Sequence, residues 1–210
     1  MVTSSDWHSL SSYKDRDKNL VQSELDCQKK NSAILENFVV SYLESNRGKV
    51  NSSKVPFLIF KKLKSSHKIL EQIDLTAYPA SKRSYQKYIL YNHVEPSLPP
   101  FSFTLIVFAP KQKTPKHSHR VDCAPLCLKG LVQETLYQES NDSKNKSDSC
   151  LEKIRTQIHK PYEGVYLHQC KPNIHHLENA SDGISMSLHL YLFDAYCPSG
   201  TSSSILKVYR

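Results

Sequence analysis

The sequence predicts a mainly β fold, a small β-barrel or sandwich with α-helices at its N-terminal end. Three observations carry that expectation. Apolar residues recur at helical spacing early in the chain, and the second half breaks into short runs rich in β-branched and aromatic residues. The third is Ser187-Leu188-His189-Leu190-Tyr191, in which polar and apolar residues alternate. Side chains of an extended strand alternate between faces, so Ser187, His189 and Tyr191 share one face while Leu188, Leu190 and Leu192 take the other. Burying a row of Ser, His and Tyr is costly unless those groups have partners or work to do. His117 and His119 also stand two apart, which aims both imidazoles into one space. Together the two rows read as an active-site lining on the inner wall of a barrel.

In chain order, residues 18–45 carry Leu20, Val21, Leu25, Ile34, Leu35, Phe38, Val39, Tyr42 and Leu43 at helical spacing, with Ser32 a candidate N-cap for the second half. A further helix is expected over 66–75 and another from Ser81. After Pro96, Pro99 and Pro100 the character changes, and the β-branched and aromatic run 101–108 reads as a strand. Strand-like pieces follow at 124–128, 131–137, 164–168, 184–192 and 205–209. The polar stretch 139–149 has no apolar anchor and reads as a loop. There is no internal repeat. The expected organisation is a helical region over 1–80 packed on a barrel over 81–210, within one structural domain.

The 210 residues suffice for one well-filled domain, and 39% hydrophobic with 23% charged residues fits a soluble globular protein. No stretch approaches the ~18–20 apolar residues of a membrane span, and the N-terminus lacks the apolar core of a signal peptide. The six cysteines (Cys27, Cys123, Cys127, Cys150, Cys170, Cys197) are scattered, so reduced thiols in the cytoplasm are the expectation. The net charge of +8 is dispersed among Ser, Asn and acidic residues. With no zinc-finger spacing and no glycine-rich aromatic RNA-binding motif, it reads as a solvated basic surface rather than a nucleic-acid site.

A lone His-x-His pair is weak as a metal signal, but His175 and His176 supply a third candidate. Neutral imidazoles from three positions form a facial nitrogen set, open on the opposite side to substrate and oxygen. In extended backbone only one of two adjacent histidines faces the interior, which leaves the other on the surface or behind the site.

The segments HSHRVDC, LKGLVQETLY, IHHLEN and SLHLY, in this order, resemble the cysteine dioxygenases, thiol dioxygenases of the cupin superfamily. The resemblance runs from about Leu75 to the C-terminus and implies a cupin-type, jelly-roll-like barrel. It implies that His117, His119 and His175 hold ferrous iron, since the family's third ligand stands four residues before the Asn of its His-x-x-Glu-Asn motif. The thiol would chelate through thiolate and amine, and both atoms of O2 would end on sulfur as a sulfinic acid. Tyr191 then corresponds to the tyrosine whose hydroxyl faces the substrate, and Ser187 and His189 to the pair that supports it. Phe108 takes the place of a pocket aromatic, or of a plain core residue.

In animal members of the family a thioether joins that tyrosine to a cysteine. Cys123, seven residues before Gly130, is the candidate partner, with Cys127 a conceivable substitute and a plain buried thiol the alternative. The family's carboxylate-binding arginine lies in a Tyr-x-Arg segment, where this chain has Tyr85-Gln86-Lys87. Lysine keeps the charge but loses the planar two-point grip, so Arg83 is a second candidate and the preferred thiol is open. The implied partners are L-cysteine, or else 3-mercaptopropionate or cysteamine, together with O2, and the implied state is monomeric. A metal-binding cupin without turnover is the competing class, and a barrel with purely structural histidines is the blandest reading.

Overall fold

The structure, a computed structural model, describes residues 18–48, 52–96, 98–119, 121–139, 151–164, 174–192 and 205–209. Helix α1 (Lys18–Ser45) is followed by α2 (Val55–Lys64) and a single turn, α3 (His67–Leu70). Among the described residues nine strands follow: β1 (Gln86–His93), β2 (Phe101–Phe108), β3 (Lys116–His119), β4 (Cys123–Lys129), β5 (Val132–Glu139), β6 (Leu151–His159), β7 (Ile174–Asn179), β8 (Ser185–Tyr191) and β9 (Ile205–Tyr209).

Helix α1 runs unbroken through Ser32, which is therefore mid-helix and caps nothing. Next to it, buried Asn31 donates from Nδ2 to the Asp74 carbonyl at 2.9 Å and to the Tyr78 hydroxyl at 3.1 Å, and its Oδ1 accepts from the Asp74 N–H at 2.9 Å. These bonds dock the middle of the helix, so its two halves need no separate start. The helix expected over 66–75 is only one turn, with a 3-10 turn at Leu75–Ala77. The one expected from Ser81 is absent: Gln86–His93 pairs with β2 as a strand. Its alternating Tyr88, Leu90 and Asn92 suit a pleated surface better than a helix. Helix α2 has no counterpart among the expected elements because Val55-Pro56-Phe57-Leu58-Ile59-Phe60 has strand composition; Pro56 is tolerated there in the first turn. The expected strand over 164–168 is represented by residue 164, which bridges Leu126, and 165–168 fall outside the described residues, as do residues 140–149 of the polar stretch.

All the strand pairs are antiparallel, in sheets ordered β1-β2-β8-β4 and β6-β5-β7-β3-β9. Without the outer β1 and β9, β2-β8-β4 faces β3-β7-β5-β6, and residue 164 touches the outer edge of β4. That interleaving of two Greek keys is the jelly roll, so the fold is the cupin-type β fold expected from the sequence.

The first sheet is buried on both faces at β2 and β8. Its outer face (Phe101, Phe103, Leu105, Val107, Leu188, Leu190) shares one hydrophobic cluster with Leu35, Val39, Ile59, Phe60 and Leu63 of α1 and α2. The rings of Phe60 and Phe103 sit 5.6 Å apart across that seam. Helical cover on the outside leaves the inward row of β8 free to be polar. Among the described residues no helix is long and apolar enough to cross a membrane.

Gly130 turns the chain from β4 into β5 with φ +70°, a conformation L side chains rarely adopt. An added Cβ would collide with Ser185 Oγ and lie 2.9 Å from Ser181 Oγ. Gly48, at φ +73°, has nothing within 4 Å. Gly48→Ala is expected to cost only the backbone strain, ~1–3 kcal/mol. Gly130→Ala adds the collision, so its urea midpoint should fall clearly further; equal midpoints would contradict the packing described.

Candidate metal centre

The register of three strands builds the site. His117 on β3 lies directly opposite His175 on β7, and His119 follows two residues along the same face of β3. The three rings are buried, their candidate donor atoms all lie within 4.8 Å of one another, and His119 Nε2 meets His175 Nε2 at 2.9 Å. His176, the adjacent histidine, takes the other face of the sheet, where its Nδ1 bonds the Tyr137 hydroxyl at 3.0 Å and its Nε2 lies 3.6 Å from Glu178.

The rings' second nitrogens decide what the cluster can hold. His117 Nδ1 donates to the Pro115 carbonyl at 2.8 Å, which leaves Nε2 as a bare lone pair. His175 Nδ1 donates to Glu134 Oε1 at 2.6 Å, so its Nε2 carries no proton and is the acceptor of the bond with His119 Nε2. Burial, reinforced by nearby His175, pushes the His117 pKa down to about 3, so this ring is neutral at physiological pH. Rings with Nδ1 engaged and Nε2 unprotonated, as in His117 and His175, are in the form that ligates a transition metal, and His119 completes the set at close range, so the residues fit such an ion.

A small cavity borders the cluster, lined by the three histidines with Tyr85, Lys87, Ile106, Thr114, Leu177, His189 and Tyr191. Tyr191 enters from β8, its ring 5.6 Å from that of His119 and stacked on His189 at 5.7 Å. Behind it, Ser187 Oγ and His189 Nε2 share a 2.8 Å hydrogen bond. Cys123 on β4 is the direct cross-strand partner of Tyr191, whereas Cys127 is opposite Ser187. Directly opposed residues point to the same face, so Cys123 and not Cys127 stands beside Tyr191. Cys123 is fully buried, which raises its thiol pKa well above the usual range.

Lys87 on β1 reaches the cavity opposite Ile106 of β2 and is half-buried, and desolvation pulls its ammonium pKa down to about 8. Its Nζ lies 5.9 Å from the centre of the Tyr85 ring. Phe108 is buried behind Tyr85, ring centres 5.7 Å apart, and packs with Ile106, Cys127, Val132 and Leu177 rather than lining the cavity. Arg83 is exposed and stands outside the lining residues. Cys27, Cys123 and Cys127 carry no disulfide; Cys150, Cys170 and Cys197 lie outside the described residues.

Sequence reasoning assigns nothing to Glu134, His159, Thr114 or Leu177. Glu134 does leave a signal, a carboxylate in phase with Val132 on β5 where alternation calls for an inward residue. Thr114 leaves none: it lies outside the strands and holds its place by accepting the Leu177 N–H at 3.0 Å.

No family model and no curated protein matches the chain. Among solved structures it is similar to an oxalate oxidase (17% identity, 64% of this chain and 60% of that one, TM-score 0.41). It is also similar to peruvianin-I, a cysteine peptidase from Thevetia peruviana latex (12% identity, 55% and 66%, TM-score 0.39). A third is a cupin superfamily protein from Desulfitobacterium hafniense (16% identity, 57% and 86%, TM-score 0.37). The chain spans 60% of the length of that oxalate oxidase and 66% of that of peruvianin-I. Likeness at this level assigns no activity, and the fold stands on the strand order itself.

Titration of the metal-free protein with Co(II) tests the ligand set. His175→Ala is expected to abolish tight binding, while His176→Ala, on the outer face, should leave affinity within a few-fold of the starting protein. The reverse order of effects would contradict the facing described here.

Proposed function

We propose that this chain is a ferrous-iron-dependent thiol dioxygenase that converts L-cysteine and O2 to cysteine sulfinate. The observation that carries the reading is the grouping around one cavity of three histidines, a tyrosine backed by a Ser–His pair, and a lysine ammonium. His117, His119 and His175 would hold the iron. When bound, it supplies the redox chemistry that joins both atoms of O2 to the substrate sulfur.

The chain's own residues do the rest. Three histidines bring no anionic ligand to a divalent ion, so an anionic thiolate is a natural partner. Lys87 supplies a point charge for the substrate carboxylate, and Tyr85 and Ile106 bound the space beside it. Tyr191 offers a hydroxyl toward the reacting end, steadied by its stack on His189, which Ser187 holds in turn. Cys123 opposite Tyr191 is placed for a thioether, which would lock the phenol further.

Anaerobic loading with ferrous iron, then O2 uptake with cysteine, 3-mercaptopropionate and cysteamine in turn, tests the activity. Sulfinate is expected from cysteine; sulfinate from none of the three would contradict the reading. Lys87→Ala should raise the cysteine KM roughly 10-fold or more, the usual scale of a lost charge-assisted bond, with little effect on cysteamine, which has no carboxylate.

The pH dependence follows from the lowered Lys87 pKa. The ammonium is present below about 8 and lost as pH rises through that value. The preference for cysteine over cysteamine in kcat/KM should therefore fall between roughly pH 7 and 9 in the unaltered protein. In Lys87→Arg it should stay flat, because guanidinium keeps its charge. A flat ratio in the unaltered protein would remove Lys87 from carboxylate recognition.

A further inference from the structure

The geometry points to Glu134 as a positioning residue for the metal-binding imidazoles. Its carboxylate holds His175 with Nδ1 protonated and Nε2 without a proton, and sets a negative charge behind a donor set that has no anionic ligand. The inference rests on reading His117, His119 and His175 as metal ligands.

Glu134 is 1% exposed, inside a barrel where a lone carboxylate would be strongly penalised. On β5 it pairs with Leu177 of β7 and Gln157 of β6. It is therefore diagonal to His175 on one side and to His159 on the other, within reach of both across neighbouring strands. One oxygen accepts from His175 Nδ1 at 2.6 Å, and the other lies 3.4 Å from Nε2 of His159, itself 2% exposed. The short bond is the strong one, and it falls on the ring whose far nitrogen faces the cluster centre. His159, at the longer distance, gives the other carboxylate oxygen a second and weaker partner.

The bond acts twice. An imidazole that donates its Nδ1–H to a carboxylate as a hydrogen bond cannot take the tautomer that would put a proton on Nε2, the atom that must be unprotonated to bind. The anionic partner also makes the ring a stronger donor, and loss of such a partner typically costs 10- to 100-fold in metal affinity. Neither His117, which bonds a backbone carbonyl, nor the Ser187–His189 pair receives a formal charge from its partner.

Glu134→Gln separates this role from a merely structural one. The glutamine oxygen can still accept the His175 proton and the shape is kept, but the charge is gone. The metal-free variant should unfold within a few degrees of the unaltered protein. Its dissociation constant for Co(II), read anaerobically by competition with a chelator, should rise about 10- to 100-fold, with a shift in the visible Co(II) bands. His159→Gln should move the constant in the same direction by less.

A Glu134→Gln constant within threefold of the starting value, with unshifted bands, would overturn the inference. So would a rise that merely tracks an equal loss of metal-free stability in both variants. Should Glu134→Gln fail to fold, the His159→Gln constant decides alone: a rise supports the role and no change overturns it. Failure of the unaltered protein to bind Co(II) would instead overturn the underlying metal reading, so the two failures are distinguishable.

Discussion

The imidazoles at the cavity are tolerated inside a barrel because His117, His175 and His189 each have a ring nitrogen bonded to a protein partner. His117 leans on the Pro115 carbonyl, His175 on Glu134 and His189 on Ser187. Each bond offsets the loss of water and, for the first two, also dictates which nitrogen is left bare. Remove the partners and the polar inner row becomes a liability; supply them and it becomes a rigid donor set. The rest of the structure serves that constraint.

The first sheet shows how the requirement is met. Helices α1 and α2 bury the outer face of β2 and β8 in one apolar cluster, so cohesion comes from that side. The inner face is then free to carry Ser187, His189 and Tyr191. Antiparallel register does the remaining placement: His117 opposite His175, Cys123 opposite Tyr191, Lys87 opposite Ile106. Residues scattered over more than a hundred positions of sequence meet in one cavity because strand pairing has a period of two and jelly-roll strand order makes distant segments neighbours.

Period-two alternation makes β8 and the pair on β3 legible in the amino-acid sequence, since polar residues in phase within an apolar strand have few inexpensive explanations. The same rule separates His175 from His176 as facing opposite ways. It fails where composition and context disagree. Val55 to Phe60 looks like a strand and is a helix, because its amphipathic face completes the cluster over the sheet. Arg83 is a stronger anion ligand than Lys87 by chemistry, yet it precedes β1 and is exposed, while Lys87 is within β1 and faces inward. Glu134 is visible as an inward carboxylate, but its meaning depends on which ring lies diagonal to it, and that is a property of register rather than of sequence.

The central claim is that the histidine cluster serves oxygen chemistry on a thiol bound beside it. Reaction of the iron-loaded protein with cysteine under oxygen-18 gas tests this most directly, by mass spectrometry of the product. The account predicts cysteine sulfinate carrying two labelled oxygens. Sulfinate with one label or none, or disulfide as the sole product, would contradict it.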